Sequence, residues 1–219
     1  MRVRAGTAWR GSATVVVLLL GGALTACSGA PREDASTVRA TDATGSAVRS
    51  GGTIGARGSV CELPVTFDIA EGWKAEAADP AAAGDSSTGK EVADALLRQG
   101  PVTAVCEVDA KPAGNIGFLR VFTGSPGAGD ASTALRAFVA AEEGVSGETH
   151  RSFTTGGLEG VEVEYLRTSE FLGESKKERA LAVGTARGPV VLHLGGMDTE
   201  EHEQMLPAYE LARRTLRGS

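Results

Sequence analysis

Residues 181–194 read LAVGTARGPVVLHL, two apolar runs on either side of Arg187-Gly188-Pro189. Glycine followed by proline is a turn signal, and short runs of Val, Leu and Ala bounded by such a signal are typical of strands. The stretch therefore predicts two neighbouring strands joined by a turn. Because strands joined in this way pair in opposite directions, we expect a largely antiparallel sheet.

Further strands are predicted where apolar and polar residues alternate. In Val161–Tyr165 the polar positions are glutamates, so that one face packs on a core and the other meets water. The same pattern predicts strands at Val65–Ile69, Val102–Val108 and Phe118–Phe122. The first of these is followed by a glycine and Trp73, whose position indicates a side chain that covers the core rather than an exposed anchor for a partner.

Three helices are predicted between and after the strands. Asp130 can cap a helix that has one apolar face and ends at Gly144. Asp198 has capping-box spacing to a glutamate at the start of the last helix, which Pro207 should kink or restart. The third and weakest helix covers Lys90–Gln99.

The length of the chain limits the number of domains, and its composition limits which residues can form the core. Residues 61–219 number about 160, enough for one core and too few for two comfortable domains. Aromatic residues make up only 5% of the chain, so the core must consist mainly of Val, Leu and Ala. We predict a single α+β domain over residues 61–219, in which helices cover a largely antiparallel sheet.

The N-terminal residues have the order of a secretory signal. Arg2, Arg4 and Arg10 precede an apolar run from Ala13 to Leu24, and no acidic residue accompanies them. The run is about a dozen residues long, whereas a permanent transmembrane helix needs about 20. Residues 1–26 are therefore predicted to be a removable signal peptide.

The signal ends at Leu24-Thr25-Ala26-Cys27, which resembles the lipobox of bacterial lipoproteins. In that family the cysteine takes a diacylglyceryl group, with acyl chains such as palmitate, and a peptidase cuts just before it. Two acyl chains give stable attachment where one does not. The resemblance implies that Cys27 anchors the protein to the lipid bilayer, on the extracytoplasmic face of the cell membrane. An ordinary signal followed by a chance cysteine is the alternative.

The chain after Cys27 is rich in Ser, Thr, Ala and Gly and has no aromatic residue before residue 60. Such a segment buries too little apolar surface to offset its ordering entropy, so residues 27–60 are predicted to be a disordered tether. Loss of residues 1–26 removes three of 22 basic residues and none of 28 acidic ones, which leaves a net charge of −9. That charge disfavours nucleic acid and anionic lipid headgroups as partners and is compatible with cationic ligands.

The segment FDIAEGW at residues 67–73, followed by a mid-chain helix, later strands and a C-terminal helix, resembles the PsbP/Mog1-like domains of lipoproteins from high-GC Gram-positive bacteria. The resemblance covers residues 61–216. It implies an antiparallel sheet between helices, an α/β/α sandwich. It implies no particular activity, because members of this group do not share one.

Cys61 and Cys106 are an even pair in an oxidising compartment. We expect a disulfide between them, which would stabilise the domain by roughly 4 kcal/mol through the loop that it closes. Two unpaired thiols are the alternative. Zinc is disfavoured because neither cysteine has a second ligand at the usual short spacing. No metal or cofactor site is predicted.

The three histidines are His150, His193 and His202. His202 begins a segment like a zinc-protease helix, but Leu206 occupies the position of the second ligand, so His202 is predicted to be solvated in the first helical turn. His193 alternates within an apolar strand, where it either faces a pocket or lies on the second face of the sheet; we favour the second face. His150 carries no signal.

No motif in the sequence specifies a reaction. The Gly-x-Ser-x-Gly turn of serine hydrolases does not occur, and the paired glycines at residues 156–157 and 195–196 are better explained as turns than as phosphate loops. Glu162 and Glu164 share one strand face, as a glycosidase pair could, but a solvent face is the simpler account. No catalytic residue is predicted.

The sequence favours a membrane-anchored lipoprotein whose domain is a non-catalytic module that binds an envelope protein or a small molecule. An extracellular hydrolase is one alternative, with His193 and nearby carboxylates as its candidates. A cleft in which His193 lies within hydrogen-bond reach of a carboxylate and a hydroxyl would favour it. A carrier of a small hydrophobic ligand is the other alternative, and it would need an apolar cavity of several hundred Å³.

Overall fold

Two antiparallel sheets and two long helices account for most of the part of the chain that the computed structural model describes, residues 48–78, 91–92 and 97–219. The strands are β1 Ser50–Ile54, β2 Val65–Ala70, β3 Lys74–Ala77, β4 Arg98–Gln99, β5 Val102–Asp109, β6 Gly117–Gly124, β7 Val145–Thr155, β8 Leu158–Thr168, β9 Ser175–Thr185, β10 Gly188–Gly196 and β11 Arg217–Gly218. The helices are α1 Ala131–Ala140 and α2 Thr199–Thr215. The predicted signal peptide, Cys27 and most of the predicted tether lie outside the described residues.

The large sheet has the strand order β3-β5-β6-β10-β9-β8-β7, and β4 pairs with β5 beside it. A small sheet has the order β1-β2-β11. All ladders between the described strands are antiparallel. The hairpin predicted from residues 181–194 lies at the centre of the large sheet, where Thr185 pairs with Gly188 and Leu181 with Leu192. The predicted antiparallel sheet is therefore confirmed.

Alternation along the strands divides the apolar side chains between two cores on opposite faces of the large sheet. The main core includes Phe67 of β2, Leu192 of β10 and Tyr209 of α2. The second core includes Val191 of β10 and Phe138 of α1. Burying one such side chain stabilises the fold by about 1.5–3 kcal/mol. These two cores therefore hold both helices and the small sheet against the large sheet.

Both helices begin at the predicted caps. The Asp130 carboxylate accepts a hydrogen bond from the Thr133 N–H at 2.7 Å, and the Asp198 carboxylate accepts one from the Glu201 N–H at 2.9 Å. Each cap is worth about 1 kcal/mol. The helix α2 continues through Pro207 as one element, so no restart occurs there.

The predicted cover of helices is only partial. The helix α1 contacts β8, β9 and β10, and α2 contacts β2, β9 and β10. Beside α2, the main core is closed by β2 of the small sheet rather than by a further helix. The domain is thus α+β with a mainly antiparallel sheet. The short helix α1 covers only part of its face of that sheet.

The predicted tether boundary at residue 60 is wrong. Ser50–Ile54 form β1, which pairs with β2 over its whole length, and Ile54 is buried in the main core. Two glycines and a serine give β1 almost no alternation of its own, so the sequence pattern does not reveal it. The edge of β2 supplies the hydrogen-bond partners that order this segment.

The predicted disulfide is confirmed. Cys61 and Cys106 are bonded, with their Cα atoms 5.8 Å apart, and both are buried in the main core. The bond joins the segment before β2 to the central part of β5. It therefore links the small sheet covalently to the large one.

Of the weak helix predicted over Lys90–Gln99, residues 90 and 93–96 lie outside the described residues, and residues 91, 92 and 97 are helical. Its last two residues, Arg98 and Gln99, instead form β4. Among the helices in the described ranges, none is both long enough and apolar enough to span a bilayer.

Candidate functional site

A row of buried polar side chains crosses the second face of the large sheet. Tyr165 of β8 lies directly opposite Glu178 of β9, and His193 of β10 follows on the next strand. His193 pairs with Ala180, two residues from Glu178 along β9. Paired residues, and residues two apart on one strand, point to the same face, so the three side chains are neighbours on it. Their exposed fractions are 1% for Tyr165, 2% for Glu178 and 8% for His193. His193 thus lies on the second face, as favoured from the sequence.

Hydrogen bonds join this row to Glu142 at the C-terminal side of α1. His193 Nε2 lies 3.0 Å from Glu178 Oε2 and 3.3 Å from the Tyr165 hydroxyl. The hydroxyl donates to Glu142 Oε1 at 3.1 Å, and the Gln99 amide donates to the same oxygen at 2.7 Å. Because an ionised carboxylate only accepts, the imidazole proton must lie on Nε2. Nδ1, which has no partner among the described residues, is then unprotonated and can only accept a hydrogen bond.

The charges in the row are balanced within the protein. Lys176 Nζ lies 2.8 Å from Glu178 Oε1 and donates to the Gly196 carbonyl at 2.6 Å. Burial alone would raise the pKa of Glu178, but the hydrogen bond from His193 and the nearby cations outweigh it and lower that pKa. Burial, and then the charges of Glu142 and Glu178, raise the pKa of the Tyr165 hydroxyl far above its ordinary value. At pH 7, Glu178 is ionised and Tyr165 is neutral.

These contacts meet the distances that a hydrolase requires but not its arrangement. In a catalytic triad the carboxylate holds one imidazole nitrogen and the nucleophilic hydroxyl faces the other. Glu178 and Tyr165 both contact Nε2 of His193. The hydroxyl is also buried and holds its proton firmly. The row therefore fixes the orientation of His193 without activating a nucleophile.

Above the row is a cleft of about 460 Å³, lined by His193, Glu178 and Glu142 together with Arg120 and Arg167. It lies at the end of the sheet where β6 and β9 begin and β8 and β10 end. A Cβ atom at residue 195 would come 3.4 Å from both Glu178 Oε2 and His193 Cε1. The absence of a side chain at Gly195 therefore keeps this cleft open above His193.

The charge that this cleft presents to solvent is positive. The side chains of Glu142 and Glu178 are 11% and 3% exposed, whereas those of Arg120 and Arg167 are 47% and 46% exposed. Arg120 donates to Glu107 at 2.6 Å, but the nearest approach of Arg167 Nε to Glu142 is 3.8 Å. The acids are thus turned inward and paired, while the cations face the opening. This local charge is opposite in sign to that of the whole chain.

Residues 31–216 match the model of a protein family described as "Uncharacterised lipoprotein". The chain belongs to this family. Membership confirms the lipoprotein character that was predicted from the segment ending at Cys27. No curated protein sequence matches the lipoprotein.

Three solved structures resemble the lipoprotein at low sequence identity. Cyanobacterial PsbP (CyanoP) from Synechocystis sp. PCC 6803 has 10% identity, covers 81% of this chain and 96% of its own, and gives a TM-score of 0.49. LpqN of Mycobacterium tuberculosis, described as involved in cell envelope biogenesis, has 12% identity, 76% and 90% coverage, and a TM-score of 0.38. PA94 of Pseudomonas aeruginosa, of unknown function, has 15% identity, 45% and 70% coverage, and a TM-score of 0.38.

Glu162 and Glu164 of the lipoprotein do not form the predicted solvent face. Glu164 bonds to Arg179 of β9, and Glu162 lies 4.0 Å from Arg213 of α2. The hydrogen bond from Arg179 lowers the pKa of Glu164. Both glutamates belong to an ion network between the sheet and α2. The strand pattern alone does not predict this network because it does not show which helix packs over that face.

His202 is buried rather than solvated, with only 1% of its surface exposed. Neither ring nitrogen has a hydrogen-bond partner among the described residues. The sequence does contain a pattern that predicts this burial. The apolar stripe of α2, which contains Met205 and Tyr209, continues at helical spacing back to residue 202.

The remaining candidates support no second site. His150 contacts Glu148 at 2.9 Å, and Trp73 packs against the main core as predicted. Within residues 48–78, 91–92 and 97–219, no cluster of His, Cys, Asp and Glu could hold a metal ion. A groove of about 930 Å³ at the other end of the sheet includes Asp130 and Ser152 in its walls. Its mixed lining does not suit a carrier of a hydrophobic ligand.

Proposed function

We propose that the lipoprotein is held on the extracytoplasmic face of the cell membrane by a diacylglyceryl group on Cys27, and that its domain is a non-catalytic module that binds a small anionic ligand. Family membership and the Leu24–Cys27 segment support the anchor. The binding site is the cleft above His193.

One observation carries the binding role: the cleft exposes its cations and buries its acids. Arg167 has the freest guanidinium in the lining, and such a group offers several N–H donors in a fork that fits a carboxylate or phosphate. Ile116 and Met197 are exposed beside the charged groups and can contact an apolar part of the ligand. An amphiphile with an anionic headgroup fits both features.

We expect Arg167→Gln to weaken the binding of octyl phosphate about tenfold or more, because a hydrogen bond to a charged group contributes about 1.5–3 kcal/mol. Isothermal titration of the mature protein measures this affinity. Arg136→Gln is the matched control, since Arg136 is exposed on α1 outside the cleft. Octyltrimethylammonium, with the same apolar chain and a cationic head, should not bind. Equal affinity for the two amphiphiles would overturn the proposed ligand class.

The hydrolase remains the second candidate, because His193 does lie within reach of a carboxylate and a hydroxyl inside a cleft. Its test is the turnover of p-nitrophenyl butyrate by the purified protein and by the His193→Gln variant. Turnover that is abolished in the variant would replace the binding role with a catalytic one. Equal background rates would support a non-catalytic module.

The anchor predicts a specific mass and location. We expect the intact mass of the membrane-bound protein to correspond to a chain that begins at Cys27 and carries a diacylglyceryl group. The Cys27→Ala variant should lose both the added mass and its retention in the membrane fraction, because the thiol is the site of lipid attachment. An unmodified chain released to the medium would show that the protein is freely secreted.

A further inference from the structure

Large apolar side chains are exposed at the end of the sheet where the cleft opens. Four of the seven large apolar residues that are exposed among the described residues lie there: Ile116, Phe171, Leu172 and Met197. Phe171 is 95% exposed and Leu172 64% exposed. Single exposed apolar residues are ordinary, but adjacent ones at one end of a molecule mark a contact surface.

Phe171 and Leu172 are held in place by a hydrogen-bonded loop between β8 and β9. The Ser169 N–H donates to the Glu174 carbonyl at 2.9 Å, and the Gly173 N–H donates to the Ser169 carbonyl at 2.8 Å. The Ser169 hydroxyl accepts from the Leu172 N–H at 3.2 Å. A loop ordered before contact loses less conformational entropy when it binds. The loop therefore holds the side chains of Phe171 and Leu172 in position at the surface before any contact forms.

The chain also enters the folded domain at this same end. The Arg49 carbonyl accepts a hydrogen bond from the Glu71 N–H, at the end of β2. The adjacent turn at Gly72 approaches the Ala113 side chain, in the turn that leads to Ile116 and β6. We call this end, formed by residues 48–49, 111–116 and 169–174 together with Met197, the anchor end.

We infer that the anchor end rests on the membrane, with Phe171 and Leu172 inserted among the lipid headgroups. The inference rests on the proposed lipid anchor at Cys27. About 20 residues separate Cys27 from Val48, and a chain of that length spans at most about 70 Å. Because the link to Cys27 joins the domain at the anchor end, this end is the part of the domain that reaches the bilayer most readily.

Two apolar side chains bind a bilayer weakly on their own, because insertion scales with the apolar area that is buried. A tether makes the contact intramolecular and so raises the effective lipid concentration. Glu170 and Glu174 flank the apolar pair, so attraction to anionic lipid does not drive the contact. The contact should therefore persist at high salt. It places the opening of the cleft at the bilayer surface, where amphiphiles are available.

Quenching by brominated lipid tests this arrangement. The lipidated Phe171→Trp protein is purified from membranes and reconstituted into vesicles of phosphatidylcholine with brominated acyl chains. Interfacial side chains lie about 5–10 Å into the boundary of headgroups and acyl chains, so the introduced indole should lose most of its emission, at low and at high salt. Val60→Trp is the control, because Val60 is 63% exposed in the turn between β1 and β2, at the opposite end. Both substitutions are made in a Trp73→Phe background, because Trp73 follows the turn at Gly72 and so lies beside the anchor end. The indole at position 60 should keep its emission.

A flotation assay distinguishes a protein that lacks the lipid anchor from one that is anchored but does not insert the anchor end. Protein that does not float with the vesicles lacks the anchor, which overturns the proposed function and this inference together. Protein that floats while the Phe171→Trp and Val60→Trp indoles are quenched alike overturns the inference alone. If the indole at position 171 is shielded only in native membranes, and not in pure lipid vesicles, the surface binds a membrane protein instead and the inference is wrong.

Discussion

Replacing both Cys61 and Cys106 by alanine is expected to lower the free energy of unfolding by about 4 kcal/mol, because the disulfide restricts a loop of that length in the unfolded chain. The two cysteines are 45 residues apart and both are buried in the main core. For a domain of this size the loss corresponds to a decrease in Tm of about 10 °C. Urea denaturation and calorimetry under oxidising conditions measure both quantities.

Reduction supplies the control for this prediction. A strong thiol reductant should destabilise the unaltered protein to a similar extent and leave the Cys61→Ala/Cys106→Ala variant unchanged. A difference of less than about 1 kcal/mol between the oxidised protein and the variant would contradict the prediction, since typical disulfides contribute 2–4 kcal/mol. The double substitution is used because a single one would leave a reactive thiol in the core.

The domain is expected to lose stability as the pH falls from about 6.5 towards 4, and His202 is the main cause. Burial, more than any nearby charge, lowers the pKa of His202 to about 4 in the folded protein. In the unfolded chain the imidazole takes up its proton near pH 6.5, so protonation favours unfolding throughout this range. Above pH 6.5 the imidazole is neutral in both states, so His202 does not reduce the free energy of unfolding. By pH 4 that free energy has fallen by about 3 kcal/mol, since one pKa unit corresponds to 1.36 kcal/mol.

His202→Leu should flatten this profile, because leucine fills the same stripe of α2 and takes up no proton. Urea denaturation at pH 7 and at pH 5 measures the difference. The lowered pKa values of Glu164 and Glu178 place their protonation below about pH 4.5, so they contribute little in that interval. Met205→Leu, in the same buried stripe of α2, is the matched control, because it changes the packing without removing a titratable group, and it should keep the profile of the unaltered protein. Equal pH dependence in the His202→Leu protein would contradict the assignment.

Much of the central architecture could be predicted from local patterns. The hairpin of β9 and β10, the strands β2, β5, β6 and β8, and the caps at Asp130 and Asp198 all have signals within a few residues. Such signals reflect interactions between sequence neighbours, which exist before any tertiary structure is formed. The disulfide was also predictable, because only two cysteines follow Cys27.

The strands that were missed lack a local signal. The glycine-rich β1 is ordered by pairing with β2, and β7, which carries polar residues on both faces, is ordered by pairing with β8. Cross-strand hydrogen bonds can order a segment whose own side chains bury little surface. The sequence of such a segment does not show that the edge of another strand is available to pair with it.

The sequence by itself determined the lipoprotein character, the mainly antiparallel α+β domain and the cysteine pair, because each depends on residue types within a short span or on a count. Only the tertiary structure decided which charged residues meet. Glu142, Tyr165, Glu178 and His193 come from four separate elements, and their contact follows from strand register and from the packing of α1. The same applies to His202 and to the loop that presents Phe171, because whether a side chain is buried or exposed depends on what covers it. Burial is a property of distant neighbours, and a one-dimensional pattern does not contain their positions.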